Sequence, residues 1–125
     1  MGSTLSANIL SRGMVRSDPR PKAALYRHRG KLDSIALGIG VALFDELCDT
    51  EIRPSQRQEP AAAGVWLDAQ EALRTLTSLL AEIESRRIRF GLLHDEHAEV
   101  VTELRDAIAF AKQAEPGDRF NFTLA

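Results

Sequence analysis

The chain has 125 residues, of which 44% are hydrophobic and 27% charged, and a formal net charge of −2. That is one domain's worth of sequence, long enough to bury a core without disulfide staples. A lone cysteine, Cys48, excludes an intramolecular disulfide, and no apolar run reaches the roughly 18 residues of a membrane span.

The charge is unevenly spread. Residues 1–31 hold seven Lys/Arg against one acid, and residues 32–125 hold nine bases against seventeen acids. Residues 1–20 read as a flexible basic arm, because Ser, Gly and Arg dominate and apolar residues are scattered. Residues 21–125 read as a single helical domain. Asp18-Pro19-Arg20-Pro21 is a helix start signal, since Asp caps and Pro suits a first turn.

The first predicted helix runs from near Lys22 to Cys48. On a 3.6-residue period Leu25, Leu32, Ile35, Ala36, Ile39, Leu43 and Leu47 form one stripe. A second stripe holds Tyr26, Leu37, Val41, Phe44 and Cys48. Together they exceed the roughly 100° apolar face of an ordinary surface helix. A helix apolar on two sides serves a core on one and a partner on the other, so Tyr26, Leu37, Val41 and Phe44 are the candidate partner-binding residues. Residues 50–59 read as a polar linker broken at Pro54.

The second predicted helix begins around Pro60. Its stripe is Val65, Ala69, Ala72, Leu73, Leu76, Leu79, Leu80 and Ile83, and Glu82 and Arg86 form an i,i+4 pair. Arg86-Arg87-Ile88-Arg89-Phe90-Gly91 ends it, with Gly91 as the C-terminal cap. The third helix spans about Leu93 to Ala114, with a stripe of Leu93, His97, Val100, Val101, Leu104, Ala107, Ile108 and Ala111. Glu115-Pro116-Gly117-Asp118 stops it. The C-terminal tail, Phe120 to Leu124, alternates apolar and polar with period two, so it packs on the bundle or pairs as a short strand. The expected fold is all-α: a three-helix antiparallel bundle with a disordered basic N-terminal arm and a short C-terminal tail.

No catalytic set emerges. His94 and His97 share a helical face, but two histidines without a second ligand pair do not make a zinc site. Acidic neighbours oppose a Cys48 thiolate, so the expectation there is burial as a small hydrophobe. There is no G-x-S-x-G, G-x-G-x-x-G or Walker sequence. The expectation is therefore a non-enzyme without metal or cofactor, in the cytoplasm and with no membrane association. It is a small regulatory or adaptor protein binding another protein, as a homodimer, with an antagonist of a transcription factor as its sharper form. The alternative is a nucleic-acid binder whose phosphate contacts come from segment 12–31, through Arg20, Lys22, Arg27, Arg29 and Lys31.

Overall fold

The computed structural model describes residues 3–49 and 64–124. The elements run β1 (Leu5–Ser11), β2 (Met14–Ser17), α1 (Ala23–Arg27), α2 (Arg29–Ile39), a 3-10 turn at Phe44–Leu47, β3 (Cys48–Asp49), β4 (Leu67–Asp68), α3 (Ala69–Arg86), α4 (His97–Ala111) and β5 (Arg119–Leu124). The expected all-α bundle is overturned by a five-stranded mixed sheet of order β2-β1-β5-β3, with β4 also pairing to β5. The protein is an α/β fold.

The expected disordered arm is β1 and β2, a tight antiparallel hairpin. Arg12 and Gly13, at its tip, both have positive φ, 53° and 78°. Two such residues are what a two-residue turn matching strand twist requires. Leu5, Ala7 and Ile9 alternate along β1 and are fully buried. The tail is β5, an inner strand, with Ala7 opposite Phe122 and Ile9 opposite Phe120. Phe120 and Phe122 pack edge to face, their rings 5.1 Å apart. This apolar face of the sheet meets α3 and α4.

The sheet's other register carries a polar row. Asn8 donates to Asn121 Oδ1 at 2.9 Å and accepts from Ser17 Oγ at 2.6 Å. Asn121 in turn donates to the Val65 carbonyl at 2.8 Å, and Asp49 accepts from the Val65 amide at 3.2 Å. Both asparagines are buried. Such satisfied pairs fix register, since a one-residue slip would strand each amide against apolar neighbours.

The single long helix expected over 22–48 is three pieces. Its backbone leaves helical geometry at His28 (φ −109°, ψ 23°), and Gly40 in the left-handed conformation ends α2. α1 begins beneath the Glu103 carboxylate, which accepts from the Ala24 and Leu25 amides at 3.1 and 3.0 Å. The predicted linker at 50–59 and the predicted helix start near Pro60 lie outside the described residues. α3 begins later, at Ala69, where the Asp68 carboxylate caps the Gln70 and Glu71 amides. Ala69, Ala72, Leu76, Leu79 and Ile83 of its expected stripe are buried, and the Glu82–Arg86 pair forms at 3.0 Å. Arg87, in the left-handed conformation, ends α3 four residues before the expected Gly91. α4 starts at His97, not near Leu93, and buries Val100, Val101, Leu104, Ala107, Ile108 and Ala111.

Candidate docking surface

The four residues proposed for partner binding do not form one patch. Because α2 stops at Gly40, Val41 and Phe44 leave the helical register that would align them with Leu37. Phe44 is fully buried, its ring 5.3 Å from that of Phe122, so it is a core residue with no surface to offer. Tyr26 is half-buried beneath the Arg29 guanidinium, 3.9 Å from the ring centroid. Val41 is half-buried, whereas Leu37 is 74% exposed.

The five cations of the nucleic-acid alternative are occupied inside the chain. Lys22 is fully buried, its ammonium 3.0 Å from Asp18 and also bonded to the Arg20 carbonyl. Arg20 bridges Asp18 at 3.0 Å and Asp106 at 2.9 Å. Arg27 binds Glu96, with Nε 3.0 Å from Oε1. Arg29 donates to the Tyr26 carbonyl and stacks on that ring. Lys31 donates to the Arg89 carbonyl.

The segment from Arg87 to Glu96, between α3 and α4, forms a finger where the sequence predicts the end of one helix and the start of the next. Its base is anchored by Phe90, fully buried and 5.3 Å ring to ring from His28. The Asp95 carboxylate accepts from the Phe90 amide at 2.9 Å and the His97 amide at 3.0 Å, and the Glu96 amide donates to the Phe90 carbonyl at 2.7 Å. These bonds close the loop on itself. The Arg89 guanidinium lies along it, donating to the Gly91 and Leu92 carbonyls, both at 2.9 Å. Gly91 has φ +106°, and a Cβ there would lie 2.4 Å from the His94 carbonyl oxygen. Only glycine fits that turn.

The finger's tip carries Leu92 and Leu93, which are 94% and 101% exposed. Apolar side chains scattered singly on a surface are ordinary, but two consecutive leucines held fully in water by a closed hydrogen-bonded loop are not. Each retains the burial free energy of a leucine, about 1.5–3 kcal/mol, for another surface to collect.

Electrostatics stiffen the finger's base. Hydrogen bonds from Arg27 first, and then His28, hold the Glu96 carboxyl down at about 2. Hydrogen bonds from the Phe90 amide first, and then the His97 amide, keep the exposed Asp95 carboxyl below the usual carboxylate range. The two histidines considered for zinc are used separately. His94 Nε2 lies 3.2 Å from Glu99, and His97 Nδ1 donates to the Ile88 carbonyl at 2.7 Å. Among the described residues no cluster of three or more His, Cys, Asp or Glu is arranged to hold a metal ion. Cys48 is buried, as its surroundings in the sequence suggested, and burial followed by the nearby Asp45 pushes its thiol up to about 12.

Beside the finger, α2 and α3 leave a groove of about 310 Å³ with Ile35, Ile39 and Ile88 in its lining. A separate shallow depression shares Ile39 and Glu82 with it and is lined also by Val41 and Ser78. Ile88 joins groove to finger. Comparison with protein-family models, with curated proteins and with solved structures finds no match to this chain.

Proposed function

We propose that this chain is a small regulatory or adaptor protein that docks onto another protein through Leu92 and Leu93. The observation that carries the reading is their exposure on a loop closed by Asp95, Glu96 and Gly91. A loop ordered before binding loses little conformational entropy on docking, so more of the apolar gain appears as affinity. The expectation of a homodimer rested on a helix with two apolar sides. With Phe44 in the core, the support for any interface shifts to the finger, and a second copy becomes one candidate partner among others. An antagonist of a transcription factor is one form such a regulator takes. The nucleic-acid alternative draws less support, because Arg20, Lys22 and Arg27 already pair with carboxylates. Among the described residues no helix is long and apolar enough to cross a membrane, and a lone buried thiol suits the reducing cytoplasm.

The test is the double variant Leu92→Asp, Leu93→Asp. Substitutions at such exposed positions leave stability within about 0.5 kcal/mol. Affinity capture from the native host, read by mass spectrometry, is expected to recover a partner with the wild type and lose it with the variant. Light scattering after size exclusion shows whether that partner is a second copy. A variant with the same captured proteins and the same mass as the wild type overturns the proposal.

A further inference from the structure

The sheet ends at β2, whose inner neighbour is β1. In an antiparallel pair, successive residues turn their amide and carbonyl alternately toward the neighbour and away from it. Arg12 and Gly13 make the two-residue turn, so Ser11 with Met14, and Ile9 with Arg16, are the pairs bonded inside the hairpin. The Asp18 amide, bonded to the Ala7 carbonyl at 2.8 Å, continues that alternation. The amides and carbonyls of Val15 and Ser17 therefore point outward, and among the described residues nothing bonds to them. All four residues of β2 are exposed, Val15 by 44%. Neither a proline nor a bulge, two usual means by which an edge refuses a further strand, interrupts β2.

Arg16 sets what this edge accepts. Its side chain lies on the sheet face that packs on α4, where the guanidinium donates to Gln113 Oε1 at 3.4 Å. A hollow of about 570 Å³ opens there, with Arg16, Arg20, Phe110 and Gln113 in its lining. Arg20 is held by Asp18 and Asp106. Asp118 lies nearby, but its carboxylate is bonded to the Glu115 amide and the Ser11 side chain and feels Arg16 only through space. Arg16 thus has a neutral amide for its partner, and no carboxylate among the described residues bridges to it. A second copy suits the edge poorly. The two-fold antiparallel register that uses all four outward groups sets Val15 of each copy opposite Ser17 of the other. It thereby sets the two Arg16 side chains directly opposite each other, a destabilising like-charge pair.

We infer that β2 accepts an extended, acidic segment of a partner protein as a further antiparallel strand, bonded through its backbone to Val15 and Ser17 and carrying an Asp or Glu opposite Arg16. The residue opposite Val15 lies on the sheet's other face and is apolar. In strand addition the backbone bonds give affinity and alternate side chains give specificity. This surface is independent of Leu92 and Leu93, so the chain holds two docking elements.

Selection of random dodecapeptides displayed on phage against the full chain supplies a probe. Enriched peptides are expected to carry an Asp or Glu beside an apolar residue. The bound peptide is expected to slow amide exchange at Val15 and Ser17 and to leave Met14 and Arg16, already bonded inside the hairpin, unchanged. Arg16→Glu is expected to weaken binding at least tenfold, and the peptide with its acid changed to Lys is expected to prefer Arg16→Glu to the wild type. Val15→Pro removes an outward amide and no bond of the hairpin, and is expected to abolish binding. If Val15→Pro melts lower than the wild type, the exchange pattern and the charge swap decide. Recovery of no enriched sequence, of peptides lacking acidic residues, of peptides indifferent to Arg16→Glu, or of peptides that leave exchange at Val15 and Ser17 unchanged overturns the inference. So does a wild-type dimer that Val15→Pro converts to a monomer, because the occupant is then a second copy. The Leu92→Asp, Leu93→Asp variant is expected to bind the peptide as the wild type does, so the edge can fail while the finger stands.

Discussion

Lys22 and Asp18 form an ion pair in a place where water does not reach, with side chains 0% and 2% exposed. Burial alone would raise the Asp18 carboxyl, but hydrogen bonds from Arg20 and then Lys22 prevail and hold it below the usual range. The lysine's backbone also bridges to Leu5, donating at 2.9 Å and accepting at 3.2 Å, so its side chain has no freedom to swing outward. A buried pair resists loss of one member far more than loss of both. Asp18→Asn is expected to lower stability by about 3–5 kcal/mol, read as a fall in the urea midpoint. The double change Asp18→Leu with Lys22→Met is expected to cost less than that single change. A double variant less stable than Asp18→Asn would show that the pair itself, not its burial, supplies the stability. In the sequence these two residues looked like a helix cap and a free basic side chain, because nothing in a list of charges says which of them the chain will bury.

The finger between α3 and α4 depends on the same kind of local bonding, this time near the surface. Glu96 joins Arg27 and His28, at the end of α1, to the start of α4. Its folded carboxyl is depressed to about 2 from an ordinary 4.5. A depressed acid stabilises the fold fully above its unfolded value, and that contribution is lost as pH falls through the folded one. The finger's base is therefore expected to be intact above about pH 4.5 and to loosen between there and about 2. Amide exchange from Phe90 to Glu96 measures this, and protection that is unchanged across that window would count against it. At this scale the sequence was legible in part. Ala69 to Ile83 of the α3 stripe and Val100 to Ala111 of the α4 stripe lie on the buried faces that the 3.6-residue period gave them, whereas Val65 and Leu93, the first residue of each expected stripe, precede their helices and are exposed. The segment 22–48 misled because its two stripes were read as one continuous helix through Gly40, whose left-handed backbone breaks the register. The finger was invisible because Leu93 continues the period of α4 on paper, while Asp95 and Gly91 turn it outward.

For the molecule as a whole, the decisive pairing joins strands from opposite ends of the chain. β1 and β5 sit side by side at the sheet's centre, with Asn8 opposite Asn121. Contacts of such sequence separation form late and slowly compared with helical hairpins. They also leave little local signal. Leu5-Ser6-Ala7-Asn8 is poor in the β-branched and aromatic residues that mark strands, and Arg12-Gly13 is an uncommon pair for the turn it makes. The period-two alternation of Phe120 to Leu124 was readable as a strand, but nothing in it announced that the strand would be central. Deleting residues 119–125 removes Phe120 and Phe122 from the core and exposes an inner edge of β1. We expect that truncation to abolish cooperative thermal unfolding seen by circular dichroism. Retention of a sharp transition would mean that the helices hold together without the sheet.

One edge of β5 is divided between two short strands that run in opposite senses. Asp49 lies opposite Thr123 in a parallel pair, and Leu67 lies opposite Phe120 in an antiparallel one. Val65, just before β4, is fastened by Asp49 of β3 and by Asn121 of β5. β5 thus holds both short strands in register at once, and anything that loosens it releases β3 and β4 together.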